Sequence, residues 1–401
     1  MFLLGMPNPV YAYITKKYLF LRKVGTNPPA PAHDVEGAAP GLIQAQEGTL
    51  MIRESYEVLD RLRLPHGLYL ASTSDHYRFV WLRDSVYMSL PYLDKPNGTY
   101  EKAFHRILDL LKEYEWKLDL IAVQKPVYEW EYLHARYSSN DVREIHSEPW
   151  GHVQHDMIGA ILFGIGIGEA KGRQVIRSVK DLELVSKLVR YLERVEYWRD
   201  PDNGMWEEGR ELHASSIGAC VAGLAAVERL VQVPQPLIGL GREALKTLYP
   251  RESETKTADL AQLSLVYPYR LFTGERGEAI VRQAEERLLR DRGLIRYSGD
   301  SYFSVLESQH GRGQDLAFYE GSEAEWTFGL PWLALCWLEL GDKEKAAEYV
   351  RRTERAMVAP GVLPELFFAG TAEPNPNTPL GWSSAMYILA VEALDRASRD
   401  S

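Results

Sequence analysis

A long succession of helical segments constrains the fold of this 401-residue chain more than any other feature. Apolar residues recur at i, i+3, i+4 and i+7, and each run is closed by glycine, proline or a polar cluster. The period predicts twelve helices, over residues 48–63, 84–93, 100–116, 154–170, 180–199, 213–231, 242–249, 257–272, 276–290, 323–340, 343–356 and 380–396. Short β-prone pieces, such as residues 67–72 and 118–124, do not alternate with the helices as βαβ units would. We therefore predict an all-α chain.

Two kinds of helix alternate along the chain. Residues 213–231 and 326–340 are apolar nearly all round, whereas residues 343–356 carry a charged outer face. The first kind suits an inner ring of helices and the second an outer ring, and no fixed solenoid repeat is present. We therefore predict an (α/α)6 barrel, a six-hairpin toroid, over residues 48–401. Residues 1–47, whose second half is rich in proline and glycine, are predicted to be an N-terminal arm and linker.

Composition excludes several classes of partner. The 46 Lys and Arg residues against 56 Asp and Glu give a net charge of −10, which disfavours nucleic acid because a duplex needs a basic face. Pro7 and Pro9 interrupt the apolar N-terminus before it reaches the length of a bilayer span. We predict a cytoplasmic protein without membrane contact. The sequence does not decide whether it forms a homo-oligomer.

The cysteines and histidines do not predict a metal site. Cys220 and Cys336 lie in apolar helical runs and are predicted to be buried free thiols. The ten histidines are scattered without zinc spacing. Residues 164–168 (GIGIG) lie inside a helical run and do not follow a strand, so they do not predict a dinucleotide site. No metal and no cofactor are expected.

The unusual residues lie in the loops between helices. Aromatic and charged side chains are mixed in residues 76–84, 146–156, 199–212, 361–367 and 379–382. Tryptophan and tyrosine faces stack on the C–H faces of pyranose rings, while carboxylates and arginine hydrogen-bond to sugar hydroxyls. These loops predict a sugar site at one end of the barrel.

Two glutamates are candidates for glycosidic chemistry. Hydrolysis needs one carboxylic acid to protonate the leaving oxygen and one carboxylate to activate water or attack the anomeric carbon. Glu207 and Glu365 are 158 positions apart, so only a closed fold could join them. Each also has a plain structural interpretation, the pair Glu207 and Glu208 as solvated charges and Glu365 as a helix cap. Trp206 and Glu208 are predicted to raise the pKa of Glu207, by desolvation and like-charge repulsion.

Several separated motifs resemble the glucoamylase family, glycoside hydrolase family 15, with the phosphorylase kinase α and β chains as distant relatives. The motifs are WLRD at 81–84, WGHVQHD at 150–156, MWEE at 205–208, LPE at 363–365 and PLGW at 379–382. The resemblance covers about residues 48–396. It does not extend clearly to residues 296–321, and only about 47 residues precede the barrel, too few for the β-sandwich domain usual in prokaryotic members.

The resemblance implies a role for each matching residue. Arg83 and Asp84 would hold the 4- and 6-hydroxyls of the terminal glucose, although the two could also form a structural ion pair. Glu207 would be the general acid and Glu365 the general base. The other residues implied to bind substrate or support the site are Trp81, Trp150, Gln154, Asp156, Trp206, Glu208 and Trp382.

The implied activity is that of an exo-acting, inverting α-glucoside hydrolase that releases β-glucose from the non-reducing end of an α-linked gluco-oligosaccharide. Inversion predicts a carboxyl separation of roughly 6.5–9.5 Å. The linkage stays open between α-1,4, α-1,6 and α,α-1,1. An alternative is a non-hydrolytic carbohydrate-binding or regulatory barrel related to the phosphorylase kinase chains, which would not need both Glu207 and Glu365. A terpene cyclase or prenyltransferase is disfavoured because no aspartate-rich diphosphate-binding cluster is present.

Overall fold

The computed structural model describes residues 40–145, 150–313 and 315–399. Most of the predicted N-terminal arm, residues 1–39, and loop residues 146–149 lie outside the described residues. The chain divides into two units, residues 1–46 and residues 47–401, and the architecture below is that of the second unit.

Fourteen α-helices and one central 3₁₀ helix build the described part of the chain. In chain order they are α1 (Pro40–Leu62), α2 (Leu82–Ser89), α3 (Thr99–Glu113), α4 (Glu115–Val123), α5 (His155–Ala170), α6 (Val179–Val195), α7 (Ala214–Val227), α8 (Gln235–Leu248), the 3₁₀ helix Leu260–Leu265, α9 (Gly274–Leu288), α10 (Glu307–His310), α11 (Leu316–Tyr319), α12 (Gly329–Glu339), α13 (Lys343–Arg355) and α14 (Gly381–Arg399).

A closed ring of six largely buried segments forms the centre of the described fold. Each is buried over much of its length and contacts the next, and the last contacts the first. The ring runs α2, α5, α7, the 3₁₀ helix, α12 and α14. Helices α3, α6, α8, α9 and α13 have buried residues on one face and pack against this ring from outside. The predicted (α/α)6 barrel is confirmed.

Three predicted segment assignments were wrong in whole or in part. In the predicted helix 323–340, residues Glu325–Trp326 form a strand and the helix begins at Gly329. The predicted helix 257–272 is a 3₁₀ helix limited to Leu260–Leu265, because Pro268 lacks the N–H that an α-helix would need there. Residues 118–124, predicted as β-prone, lie almost wholly in α4, since packing against α6 overrides their local preference.

The first helix also begins earlier than expected. Helix α1 starts at Pro40, whereas the apolar period predicted residue 48. Proline is accepted in the first helical turn because its missing N–H has no partner inside the helix there. The last residues of the predicted linker are therefore helical.

Two short antiparallel sheets lie in the loops that lead into the inner ring. Strand β1 (Phe79–Trp81) pairs with β2 (Arg136–Ser138), and Trp81 lies opposite Arg136. Strand β3 (Glu325–Trp326) pairs with β4 (Leu366–Phe367). Because β1 runs directly into α2 and β3 closely precedes α12, these sheets fix the loops at the N-terminal ends of inner helices.

Both cysteines are free and buried, as predicted for Cys220 and Cys336. Among the described helices, none is long and apolar enough to cross a bilayer.

Candidate active site

A cavity of about 1000 Å³ lies at the end of the barrel where the inner segments begin. Its walls include most of the residues predicted to form the site, namely Trp81, Arg83, Asp84, Trp150, Trp206, Glu207, Glu208, Glu365 and Trp382. Gln154 and Asp156 are buried beside Arg83 and bind it. Each of these residues lies in the loop before an inner helix or in its first turn, so closing the ring gathers them at one end.

A tight turn holds Glu207 in place. The residue has a φ of 65°, in the left-handed region that non-glycine residues rarely adopt. Asn203 fixes the turn: its side-chain amide donates to the Glu208 carbonyl at 2.6 Å, and its side-chain oxygen accepts from the Val153 N–H at 3.0 Å. The loop that carries Glu207 is thereby tied to the loop that carries Trp150.

The Glu207 carboxyl group is set up to carry a proton near neutral pH. Trp150 Nε1 donates to one oxygen at 2.8 Å, and an Arg83 Nη lies 3.4 Å from the other. Burial raises the pKa of Glu207 to about 7, the Arg83 charge opposes this, and Asp84 adds to the increase. A carboxyl group with such a pKa can protonate a leaving oxygen.

Glu365 has a different environment. Its side chain is buried, and Tyr77 Oη donates to one carboxylate oxygen. The side-chain amides of Asn375 and Asn377 donate to the other oxygen, Asn377 at 2.7 Å. Burial raises the pKa of Glu365, while these three donors act in the opposite direction. The hydrogen bonds hold the carboxylate in one orientation and favour its ionised form.

Arg83 and Asp84 lie in the first turn of helix α2, and Arg83 lies beside Glu207. Arg83 is bound at one nitrogen by Gln154, at 2.8 Å, and by Asp156, at 3.1 Å. Its ion-pair partners are therefore Asp156 and Glu207, and not the adjacent Asp84. Burial raises the pKa of Asp84 to about 6, against the charge of Arg83.

Glu208 lies in a separate polar cluster on the cavity wall. Its carboxylate accepts hydrogen bonds from Lys256 at 2.7 Å, Arg296 at 3.0 Å and Tyr297 at 2.7 Å. Burial disfavours its charge, but Arg296 and Lys256 outweigh burial and lower the pKa of Glu208. Because these cations compensate Glu208, the carboxylate that raises the pKa of Glu207 is Asp84, contrary to the sequence prediction.

Aromatic side chains form much of the cavity wall. Trp206 donates from Nε1 to Asp259 at 2.8 Å, which orients its ring, and Trp382 stacks on Phe328 with ring centroids 5.1 Å apart. Arg136 lies 4.4 Å from the ring centre of Trp150. These contacts hold the rings in place before a ligand arrives.

Several site residues were not predicted from the sequence. They are Tyr77, Lys256, Arg296, Tyr297, Tyr302, Trp326, Asn375 and Asn377. Tyr77 stood in a loop already noted for its aromatic and charged residues, which is a signal that could have found it. Segment 296–321, which matched no motif, supplies Arg296 and Tyr302. The two asparagines carry no pattern of their own, because their role depends on the fold around Glu365.

No described group of three or more His, Cys, Asp or Glu residues is arranged to hold a metal ion.

The fold is that of an all-α barrel shared with solved glycosidases. A variant glycosidase solved in complex with glucose superposes with a TM-score of 0.74 at 20% identity, over 90% of this chain and 99% of that one. The glucoamylase of Saccharomycopsis fibuligera superposes with a TM-score of 0.61 at 12% identity, over 89% of this chain and 96% of that one. Residues 49–261 match the model of glycosyl hydrolases family 15. The chain belongs to this family, as its motifs indicated.

Two curated relatives carry names of different kinds, one a regulatory subunit and the other a glycosyl hydrolase. A probable phosphorylase b kinase regulatory subunit alpha of Caenorhabditis elegans is 27% identical over 389 residues, covering 81% of this chain and 31% of the relative. An uncharacterized glycosyl hydrolase of Methanocaldococcus jannaschii is 25% identical over 372 residues, covering 82% of this chain and 53% of the relative. The chain thus spans about a third of the first protein and about half of the second.

Proposed function

We propose that this chain is an exo-acting α-glucoside hydrolase that acts with inversion and releases β-glucose from the non-reducing end of an α-linked gluco-oligosaccharide. The observation that carries the proposal is a pair of carboxyl groups on one cavity, the part-buried Glu207 and the buried Glu365, with different hydrogen-bond partners. Family membership and the fold shared with a glycosidase solved with glucose support a sugar as the substrate.

Each glutamate has one role in this mechanism. Glu207, with a pKa of about 7, gives its proton to the glycosidic oxygen as the bond breaks. Glu365 accepts a proton from a water molecule that attacks the anomeric carbon from the opposite face. A single displacement inverts the configuration, so an α-glucoside gives β-glucose. The reaction needs no cofactor.

Substrate recognition is assigned to the charged and aromatic groups around Glu207. Arg83 and Asp84 would hold hydroxyls of the terminal glucose, and Arg83 is already oriented by Gln154 and Asp156. Trp81, Trp150, Trp206 and Trp382 would provide ring faces for stacking, and Glu208 would bind substrate from its cluster. In this proposal residues 48–401 are the catalytic unit, residues 1–47 are an arm, and the enzyme is cytoplasmic.

The anomer of the first product tests the proposal. Maltose, isomaltose, dextran and trehalose are incubated with the full chain at high enzyme concentration, and proton NMR follows the sugar released before mutarotation. The expected result is an early excess of β-glucose from maltose, isomaltose or dextran, or equal amounts of both anomers from trehalose, that is lost in Glu365→Ala. An early excess of α-glucose over β-glucose would refute inversion and the role of Glu365 together.

A non-hydrolytic regulatory barrel is the second candidate, because the relative in Caenorhabditis elegans is named as a regulatory subunit. Such a barrel would bind a glucan without cleaving it. Binding of these sugars with no glucose released from any of them would favour this candidate. The carboxyl pair argues against it, since a binding module has no use for a proton donor with a pKa near 7.

A further inference from the structure

Three large aromatic side chains are exposed together outside the cavity. Trp116, Tyr128 and Trp130 have 49%, 61% and 50% of their surface accessible, and none of them lines the cavity. The ring centroids of Tyr128 and Trp130 are 6.2 Å apart with planes at 11°, and those of Trp116 and Trp130 are 6.3 Å apart with planes at 29°. We call these three residues the aromatic strip. Burial of such side chains is the norm, so the exposed group indicates a binding surface.

The loop beneath the aromatic strip is well anchored. The buried carboxylate of Glu131 accepts hydrogen bonds from the backbone N–H groups of Val127, at 2.6 Å, and Tyr128, at 2.9 Å. Lys117, held by Glu144 at 2.8 Å, lies 5.6 Å from the ring centre of Trp116. Rings that are oriented before binding lose less entropy when a ligand arrives. The strip is therefore a preformed surface.

A chain of contacts joins the strip to the wall of the cavity. The backbone carbonyl of Glu129 lies 2.8 Å from His152 Nε2. The His152 ring stacks on His134 at 4.5 Å with planes at 3°, and His134 stacks on Trp150 at 5.3 Å. Trp150 lines the cavity. The loop of the aromatic strip is thus linked, through His152 and His134, to a residue that lines the cavity.

We propose that the aromatic strip binds the part of an α-glucan chain that extends beyond the cavity, with ring faces stacking on successive glucose residues. The proposal rests on the proposed function for the identity of the sugar. Exposed polar side chains, Gln124 and Glu129, lie between the rings in the sequence and can bind hydroxyl groups. Aromatic faces interrupted by such groups suit a sugar polymer better than a second copy of the chain, whose interface core would be depleted of charge.

Binding without turnover is the first test. The full chain carrying Glu207→Gln is titrated with soluble amylose and, separately, with dextran by calorimetry. A second substitution is then added, which is Trp116→Ala, Tyr128→Ala or Trp130→Ala. Each should weaken binding of one polymer by about fivefold to tenfold, as expected when an aromatic side chain that contacts the ligand is truncated. Leu240→Ala, which removes an exposed apolar side chain on outer helix α8, is the matched control and should leave affinity unchanged.

The second test uses the active enzyme. In the same aromatic variants without Glu207→Gln, the ratio of kcat/KM on the polymer to kcat/KM on a disaccharide of the same linkage should fall by the same factor. Trp130→Phe, which keeps an aromatic face, should recover most of the loss. Circular dichroism checks that each variant is folded.

Three results would overturn the inference. The first is unchanged affinity for both polymers in all three alanine variants. The second is loss of an oligomer in light scattering with unchanged glucan affinity, which would assign the strip to a second copy of the chain. The third is an equal fall on polymer and disaccharide. If no substrate is hydrolysed but the aromatic variants still lose polymer binding, the proposed hydrolase function is refuted, while glucan binding by the aromatic strip is supported.

Discussion

At the residue scale, hydrogen-bond donors separate the roles of two chemically identical side chains. Glu365 receives hydrogen bonds from a phenol and two amides, all of which favour the carboxylate. Glu207 receives one from an indole and lies at 3.4 Å from a guanidinium nitrogen, while burial and Asp84 favour its protonated form. The motifs predicted both glutamates, but Tyr77 and Trp150 come from loops distant in the sequence, so the division of roles became visible only in the fold.

Glu207→Gln should remove the proton donor and leave sugar binding intact. Turnover of a natural disaccharide should fall by about 10²–10⁴-fold, the usual contribution of general acid catalysis. If the wild-type enzyme accepts an aryl glucoside with an acidic phenol, Glu207→Gln should lose less activity on that substrate, because its leaving group needs less protonation. Steady-state rates on both substrates provide the measurement, and equal losses would argue that Glu207 is not the acid.

Tyr77→Phe should shift the acid limb of the pH profile to higher pH. Tyr77 stabilises the Glu365 carboxylate, so removing its hydroxyl raises the pKa of the base, which must be ionised to act. A hydrogen bond to a charged group contributes about 1.5–3 kcal/mol, which corresponds to about 1–2 pH units. The measurement is kcat/KM against pH.

Tyr302→Phe is the matched control for this experiment. The Tyr302 hydroxyl lies 2.9 Å from Tyr77 Oη, whereas the hydroxyl that donates to Glu365 is that of Tyr77. Tyr302→Phe should shift the acid limb of the profile less than Tyr77→Phe does. The basic limb, which is set by Glu207, should stay near pH 7 in both variants. Superimposable profiles for wild type and Tyr77→Phe would contradict the assigned role of Tyr77.

At the element scale, glycines set the distance between two inner helices. A Cβ atom on Gly223 of α7 would lie 2.3 Å from the Gly159 carbonyl oxygen of α5, and one on Gly159 would lie 2.3 Å from the Ala219 backbone. In the GIGIG run, Gly166 meets Ala226 in the same way. The sequence excluded a nucleotide site here. It could not assign the glycines to close packing, because that depends on which helix becomes the neighbour.

Gly223→Ala should destabilise the barrel, whereas Gly239→Ala should not. The first substitution forces α5 and α7 apart and should cost about 1–3 kcal/mol, as overpacking does. The second lies in outer helix α8 with no atom within 4 Å of the new methyl group, and should gain up to about 1 kcal/mol of helix propensity. Urea unfolding gives both free energies. Equal stability of the two variants would mean that the helices tolerate a wider separation.

At the scale of the whole molecule, closing the ring turns a linear order of motifs into a site. Glu207 and Glu365 precede inner helices α7 and α14, and Arg83 lies in the first turn of α2. Alternating apolar and amphipathic helices were enough to predict this ring, since a 3.6-residue period survives in the sequence. Contacts between loops, such as Tyr77 with Glu365, leave no periodic trace and were not predictable.

Placing the Glu207 carboxyl group in this site lowers the stability of the fold by an amount that depends on pH. Glu207 has its ordinary pKa of 4.5 in the unfolded chain and a pKa of about 7 in the folded one. Between these values the folded state binds a proton that the unfolded state lacks, so the free energy of unfolding falls as pH rises through this window. The fall in the free energy of unfolding is complete above about pH 7, and there is no fall below the pKa of Glu207 in the unfolded chain.

Glu207→Gln should therefore stabilise the protein at alkaline pH while it removes activity. The gain in free energy of unfolding should be on the order of 2 kcal/mol at about pH 8.5 and close to zero at about pH 4, because the neutral amide has no charge to bury. Urea unfolding at the two pH values measures this difference. Glu286→Gln, an exposed glutamate on outer helix α9, is the control and should show no such dependence. A gain of the same size at both pH values would mean that packing, and not the buried charge, limits stability at Glu207.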